Sequence, residues 1–220
     1  MTTRLMKRRE TRSARGARTE RAKNIFRRLR RLFPDAGMML RYGSPFELLV
    51  AVMLSAQCTD KKVNEVTPKL FERCRSLDDY LAIDRAQLER LVFSTGFYRT
   101  KAKRIQEAAF VVKHRFHGTL PRTMPEMLEI PGVARKTANV VLGNAYGIAE
   151  GIAVDTHVKR LARLFGLSDE TDPVKIERDL MEVIPRREWF HATYLLIEFG
   201  RRYCPARQHD HAAHPLGDLL

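Results

Sequence analysis

Residues 128–142 read Leu128-Glu129-Ile130-Pro131-Gly132-Val133-Ala134-Arg135-Lys136-Thr137-Ala138-Asn139-Val140-Val141-Leu142. A short helical segment is interrupted at Pro131-Gly132, turns tightly, and restarts near Arg135. Two helices joined this way present backbone N–H groups at the start of the second. Together with the positive end of the helix dipole, those donors make an anion site sized for one phosphate. Gly132 lets the backbone approach a ligand closely. The same geometry puts Lys136 in the first turn of a helix, a position from which an amine can act as a nucleophile. On composition alone Lys136 is an ordinary solvated lysine; its neighbours make it a candidate nucleophile.

Outward from this stretch the chain reads as helices with short polar breaks. Ile25, Leu29 and Leu32 share one face of a helix starting at Arg21, opposite a basic face, and Pro34 ends it. Ser44-Pro45-Phe46-Glu47 combines a cap, a first-position proline and a capping-box acid. The helix that follows is apolar almost all round, which predicts the centre of the core. Further helices are predicted near 60–73, 77–83, 86–94 and 99–116, from Thr123-Met124-Pro125-Glu126, from Asp172-Pro173, and over 187–202. Strand-like alternation is limited to Ile152-Ala153-Val154. The predicted class is all-α.

Composition bounds the function. The chain has 220 residues, 44% hydrophobic and 30% charged, which excludes a wholly disordered chain. Three cysteines exclude a disulfide scaffold and point to a reducing compartment, the cytoplasm. The apolar run from Phe46 to Ala56 is too short to span a bilayer. Formal charge is +14, and residues 1–31 carry 13 basic side chains against Glu10 and Glu20. A polyanionic partner such as nucleic acid is implied, chiefly through this tail. Residues 1–20, with few large apolar side chains, are expected to be disordered until bound.

The stretch Ile130 to Ala138 resembles the helix–hairpin–helix of the endonuclease III group of DNA glycosylases, within the helix–hairpin–helix/Gly-Pro-Asp superfamily. Four more segments follow the group's pattern in the same order: Leu54-Ser55-Ala56-Gln57-Cys58-Thr59-Asp60, Gly96-Phe97-Tyr98-Arg99-Thr100-Lys101-Ala102, Val154-Asp155-Thr156-His157-Val158, and Phe199-Gly200-Arg201 leading to Cys204. The resemblance implies a two-lobed helical fold. Residues 41–149 would form a six-helix barrel lobe containing the hairpin, and 21–40 with 150–220 a lobe of terminal helices.

It also implies a bifunctional DNA glycosylase and abasic-site lyase acting on oxidised pyrimidines. The partner is double-stranded DNA with a damaged base or abasic site, bound by a monomer associated with the nucleoid and no membrane. Lys136 would be the Schiff-base nucleophile and Asp155 its carboxylate partner. Asp155 also reads as the N-cap of the helix from Thr156, a compatible role. Gln57 and Phe97 would fill or wedge the gap left by the extruded base; equally, Gln57 could end its helix and Phe97 could be a core aromatic. Gly132, Val133 and Ala134 would hold a phosphate through backbone N–H groups, beside Arg135. Two other readings stay open: a catalytically weak, structure-specific DNA-binding protein of the same fold, and a monofunctional adenine glycosylase, which Lys136 disfavours.

The chain departs from the group at its C-terminus. The group usually binds a four-iron, four-sulfur cluster through Cys-x6-Cys-x2-Cys-x5-Cys. Here Cys204 is followed at the same spacings by His211, His214 and Leu220. A cubane needs anionic, soft sulfur ligands, so no cluster is expected. Zinc suits Cys204, His211 and His214 with His209 or Asp210, but no fourth ligand stands out. The expectation is a metal-free, loosely ordered terminus, with the Arg-rich N-terminus supplying the basic residues a cluster loop would offer to DNA. Ala134 stands where the hairpin usually has a second glycine, which costs roughly 1 kcal/mol if φ there is positive.

Overall fold

A computed structural model of the protein describes residues 12–220. Eleven α-helices run through them: α1 (Arg12–Leu32), α2 (Pro45–Leu54), α3 (Asp60–Arg73), α4 (Leu77–Ala82), α5 (Arg85–Val92), α6 (Tyr98–Arg115), α7 (Met124–Met127), α8 (Arg135–Tyr146), α9 (Thr156–Leu164), α10 (Pro173–Val183) and α11 (Trp189–Arg202). Among the described residues there is no strand; Ile152-Ala153-Val154 is a buried, non-helical link. No described helix is long and apolar enough to cross a membrane.

The chain divides into two compact units, residues Gly37–Ala153 and the described residues up to Ala36 with Val154–Leu220. In the first, α2 is the centre: every side chain from Leu48 to Leu54 is buried. Ser44 accepts from the Glu47 N–H at 3.2 Å, while the Glu47 carboxylate reaches back to the N–H of Gly43 at 2.6 Å, one residue earlier than a capping box requires. Helix α2 packs on α3, α6 and α8, and α4 and α5 pack on α6. At α4 a full capping box forms, Ser76 and Asp79 each accepting from the other's backbone. Thr123 does not cap α7 through the backbone; its hydroxyl donates to Glu126 at 2.6 Å.

In the second unit α1 packs on α10 and α11, and α9 on α10 and α11. Ala22, Ile25, Phe26 and Leu29 form its buried stripe, spaced as one helical face. Helix α1 starts at Arg12, ahead of the predicted Arg21, so residues 12–20 are helical rather than disordered; residues 1–11 lie outside the described residues. Apolar content underestimated this turn. Arginine is a good helix former, Arg15 pairs with Glu182, and Arg18 reaches Asp169 and the Leu167 carbonyl.

The C-terminus, expected to be loose, packs on the same unit. Leu216 is fully buried, and His214 sits edge-on against Phe199 with ring centroids 5.1 Å apart. Arg28 of α1 forks both oxygens of Asp218 at 2.6 and 2.8 Å. A buried leucine plus a bidentate pair order a segment whose composition alone reads as a tail.

Candidate active site

The hairpin is built by α7, a turn and α8. Ile130 C=O accepts from the Val133 N–H at 3.0 Å across Pro131-Gly132, and Gly132 has φ +85°. Proline at the second position and a positive φ at the third make a type II turn. A Cβ at Gly132 would lie 2.8 Å from Met53 Cε and 3.2 Å from Arg104 Cβ, so glycine is required for space as well as for conformation. Ala134 has φ −97°, ψ 170°, an extended geometry open to any residue; the strain considered for an alanine there does not arise.

Ala134 provides no side-chain cap for α8. Gly132 and Ala134 N–H groups take no partner among the described residues, whereas that of Val133 closes the turn. Val133 therefore drops out as a phosphate donor: its N–H is engaged and its side chain is buried in the core. Lys136 is exposed in the first turn of α8.

Beside the hairpin, in the same unit, lies a cavity of about 270 Å³ lined by Gln57, Phe97, Thr100, Lys101, Arg104, Gly132 and Thr137 together with Val52, Met53 and Ala56. Gln57 and Phe97 both have left-handed backbones, φ +53° and +47°. For side chains other than glycine this costs roughly 1–2 kcal/mol each, and such strain gathers at functional sites. Phe97 is 65% exposed, which removes the core-aromatic reading; Gln57 is exposed too.

Lys101 holds both strained residues. Its buried Nζ donates to Leu54 C=O at 2.8 Å and Thr95 C=O at 2.7 Å, tying the end of α2, ahead of Gln57, to the turn ahead of Phe97. Burial pushes the Lys101 ammonium below its ordinary pKa, against a smaller raising influence of Cys58. Thr100, Lys101 and Arg104 were not singled out from sequence. They follow Phe97 at three, four and seven residues, the spacing of one helix face, and that periodicity is the signal that could have found them.

In the other unit Asp155 caps α9: its Oδ1 accepts from the Val158 N–H at 2.8 Å. A carboxylate keeps a second oxygen for another partner. His157 packs where a Cβ on Gly200 would come within 2.5 Å of its Nδ1, so glycine at 200 makes room for the ring. Cys204, His209, His211 and His214 gather at the end of this unit, each offering a ligand atom within 4.8 Å of the others. This group can hold a metal ion. One thiolate among four donors does not fit a cubane, which takes four. Sequence reasoning found no clear fourth ligand; the fold supplies His209.

Residues 50–186 match the family of HhH-GPD superfamily base excision DNA repair proteins. Endonuclease III of Synechocystis sp. is 50% identical over 189 residues, 86% of either chain. Among solved structures, a non-covalent complex of endonuclease III with DNA superposes with a TM-score of 0.87 at 40% identity, covering 91% of this chain and 94% of that one. A trapped covalent intermediate of endonuclease III with DNA superposes at 0.86 with 40% identity, covering 90% and 93%. With the hairpin, the lysine and the capping aspartate described, these likenesses make the conclusion plain: the chain belongs to the endonuclease III family of HhH-GPD base excision DNA repair proteins.

Proposed function

We propose that the protein is a bifunctional DNA glycosylase and abasic-site lyase that removes oxidised pyrimidines from duplex DNA. The carrying observation is the exposed amine of Lys136, one residue into a helix whose N-terminus lacks a side-chain cap and follows a type II turn. The hairpin's Gly132 and Ala134 N–H groups hold a phosphate next to the lesion, with Arg135 adding charge. The damaged nucleotide swings out of the stack. Gln57 and Phe97, held in strained conformations, take the space it leaves in the duplex.

The neutral Lys136 amine attacks C1′ of the sugar, and the N-glycosidic electron pair leaves with the base. Asp155 accepts a proton from the lysine and stabilises the positive charge that builds on the sugar. The nitrogen lone pair then breaks the C1′–O4′ bond, O4′ taking the proton held by Asp155, and the ring-opened iminium that results acidifies C2′. Loss of a C2′ proton expels the 3′ phosphate, and water then hydrolyses the Schiff base to free Lys136. No step needs a metal or a cluster.

Borohydride trapping tests this. The wild type should crosslink to duplex DNA containing an abasic site, Lys136→Ala should bind without crosslinking, and Asp155→Asn should crosslink far more slowly. A wild type that binds DNA but never crosslinks would instead make the chain a structure-specific DNA-binding protein.

A further inference from the structure

We propose that Cys204, His209, His211 and His214 form a structural site for a zinc-class divalent ion, in the position where relatives of the sequence pattern would place an iron–sulfur cluster. The fourth position of that pattern falls on Leu220, whose side chain has no donor atom and which is 48% exposed. His209, outside the pattern's register, takes its place.

Three observations carry this. First, Cys204 Sγ is buried, lies 3.9 Å from His211 Nδ1, and accepts from Arg160 at 3.3 Å. Arg160 also donates to the Cys204 carbonyl at 2.5 Å, so the sulfur is held in place from outside the donor group. Second, His209 Nδ1 is 2.8 Å from the Arg207 carbonyl. A carbonyl only accepts, so Nδ1 carries the proton and Nε2 keeps its lone pair. That Nε2 is buried without a partner among the described residues. An imidazole donating one N–H to a carbonyl and leaving the other nitrogen bare is the arrangement a metal-bound histidine uses. Third, His214 is 7% exposed, and neither of its ring nitrogens has a partner among the described residues. A buried imidazole with nothing to bond is costly unless something binds there.

The donors suit zinc, since one thiolate and three neutral imidazoles are its ordinary ligands. Tetrahedral bonds of about 2.0–2.3 Å place ligand atoms roughly 3.3–3.8 Å apart. The present separations, up to 4.8 Å, exceed that by about 1–1.5 Å, which the ion would have to draw in. Four protein ligands leave no position open for water, which makes the site structural rather than catalytic. The ion would join the segment just beyond α11 to the 3-10 turn His211–Ala213. Only neutral histidine and thiolate donors are needed, which is the point at which this site parts from a cluster loop.

The test is optical and uses no DNA, so it stands or falls separately from the lysine chemistry. Untagged full-length protein, stripped with a chelator, is titrated with Co(II) alone and then with Zn(II). One cobalt per chain should bind, with the visible bands of tetrahedral Co(II) and a near-ultraviolet thiolate-to-cobalt band, both bleached by one equivalent of zinc. Cys204→Ser should remove the thiolate band. His209→Gln should weaken zinc at least about tenfold, while His191→Gln, outside the cluster, should leave it unchanged. Should Cys204→Ser misfold, His209→Gln still decides. Absence of stoichiometric tetrahedral cobalt, undiminished affinity in His209→Gln, or a brown iron–sulfur chromophore in the freshly purified protein each overturns the assignment.

Discussion

Replacing Gly132 by alanine tests the hairpin quantitatively. Two costs act on the variant. The backbone at φ +85° penalises any Cβ by roughly 1–2 kcal/mol. The new methyl also meets Met53 Cε at 2.8 Å and Arg104 Cβ at 3.2 Å. The Met53 terminus swings away cheaply, but Arg104 Cβ sits on the α6 backbone and must move with it, at a further cost of about 1–2 kcal/mol. The natural control is Gly147→Ala. Gly147 has φ +67°, with nothing within 4 Å of a built Cβ, and belongs to the same compact unit. It carries the conformational cost alone, and the unfolded-state gain of a Gly→Ala change cancels between the two. At about 2–4 °C per kcal/mol, the summed cost of about 2–4 kcal/mol should melt Gly132→Ala ~4–16 °C below the wild type, and the single cost of about 1–2 kcal/mol should melt Gly147→Ala ~2–8 °C below. Thermal scans followed by circular dichroism decide the matter. If Gly132→Ala melts with or above Gly147→Ala, the close packing of the turn on α2 and α6 is wrong. Binding to duplex DNA should also weaken in the first variant and hold in the second.

Lys101→Met keeps the aliphatic stem but orphans the Leu54 and Thr95 carbonyls, and should cost about 1–3 kcal/mol in urea unfolding; hydrogen exchange should rise around Gln57 and Phe97. The Asp79 carboxyl is held below its ordinary pKa by the Ser76 hydroxyl first, then by the Ser76 and Arg75 N–H groups. The folded pKa is the lower one, so this stabilisation is present above the unfolded value of about 3.9 and is lost as pH falls from there through the folded value. The melting gap between wild type and Asp79→Asn should therefore shrink only in that acid window; a gap that shrinks near neutrality would contradict the assignment. Deleting residues 1–11, which hold Arg4, Lys7, Arg8 and Arg9, should reduce the slope of log affinity against log salt by ~0.9 for each phosphate those side chains neutralise. An unchanged slope would mean the segment does not touch DNA.

Much of this was written in the chain. Caps and prolines marked the starts of α2 and α10 because a serine or aspartate oxygen satisfies free N–H groups locally, with no distant partner. The all-apolar run of Leu48 to Leu54 had to be a core helix, since no single face of it could face water. The Pro131-Gly132 turn and Lys136 just past it were likewise legible, because turn type and helix start depend on a few adjacent residues. Local periodicity was less informative where long-range partners decide. Residues 12–20 joined α1 through ion pairs to side chains more than a hundred positions away, and the C-terminus ordered around Leu216 and the Arg28 fork.

The helical class, the hairpin and the residues on which the chemistry is proposed to turn could all be read along the chain. Each of these rests on the covalent order of neighbours and on backbone preferences. It took the folded arrangement to reveal that Phe97 is exposed and strained beside Gln57, that Lys101 binds the two loops behind them, that Val133 uses its N–H within the turn, and that His209 meets Cys204. Those facts depend on which distant groups share a small volume, and the packing of helices, which no short window of sequence contains, sets that.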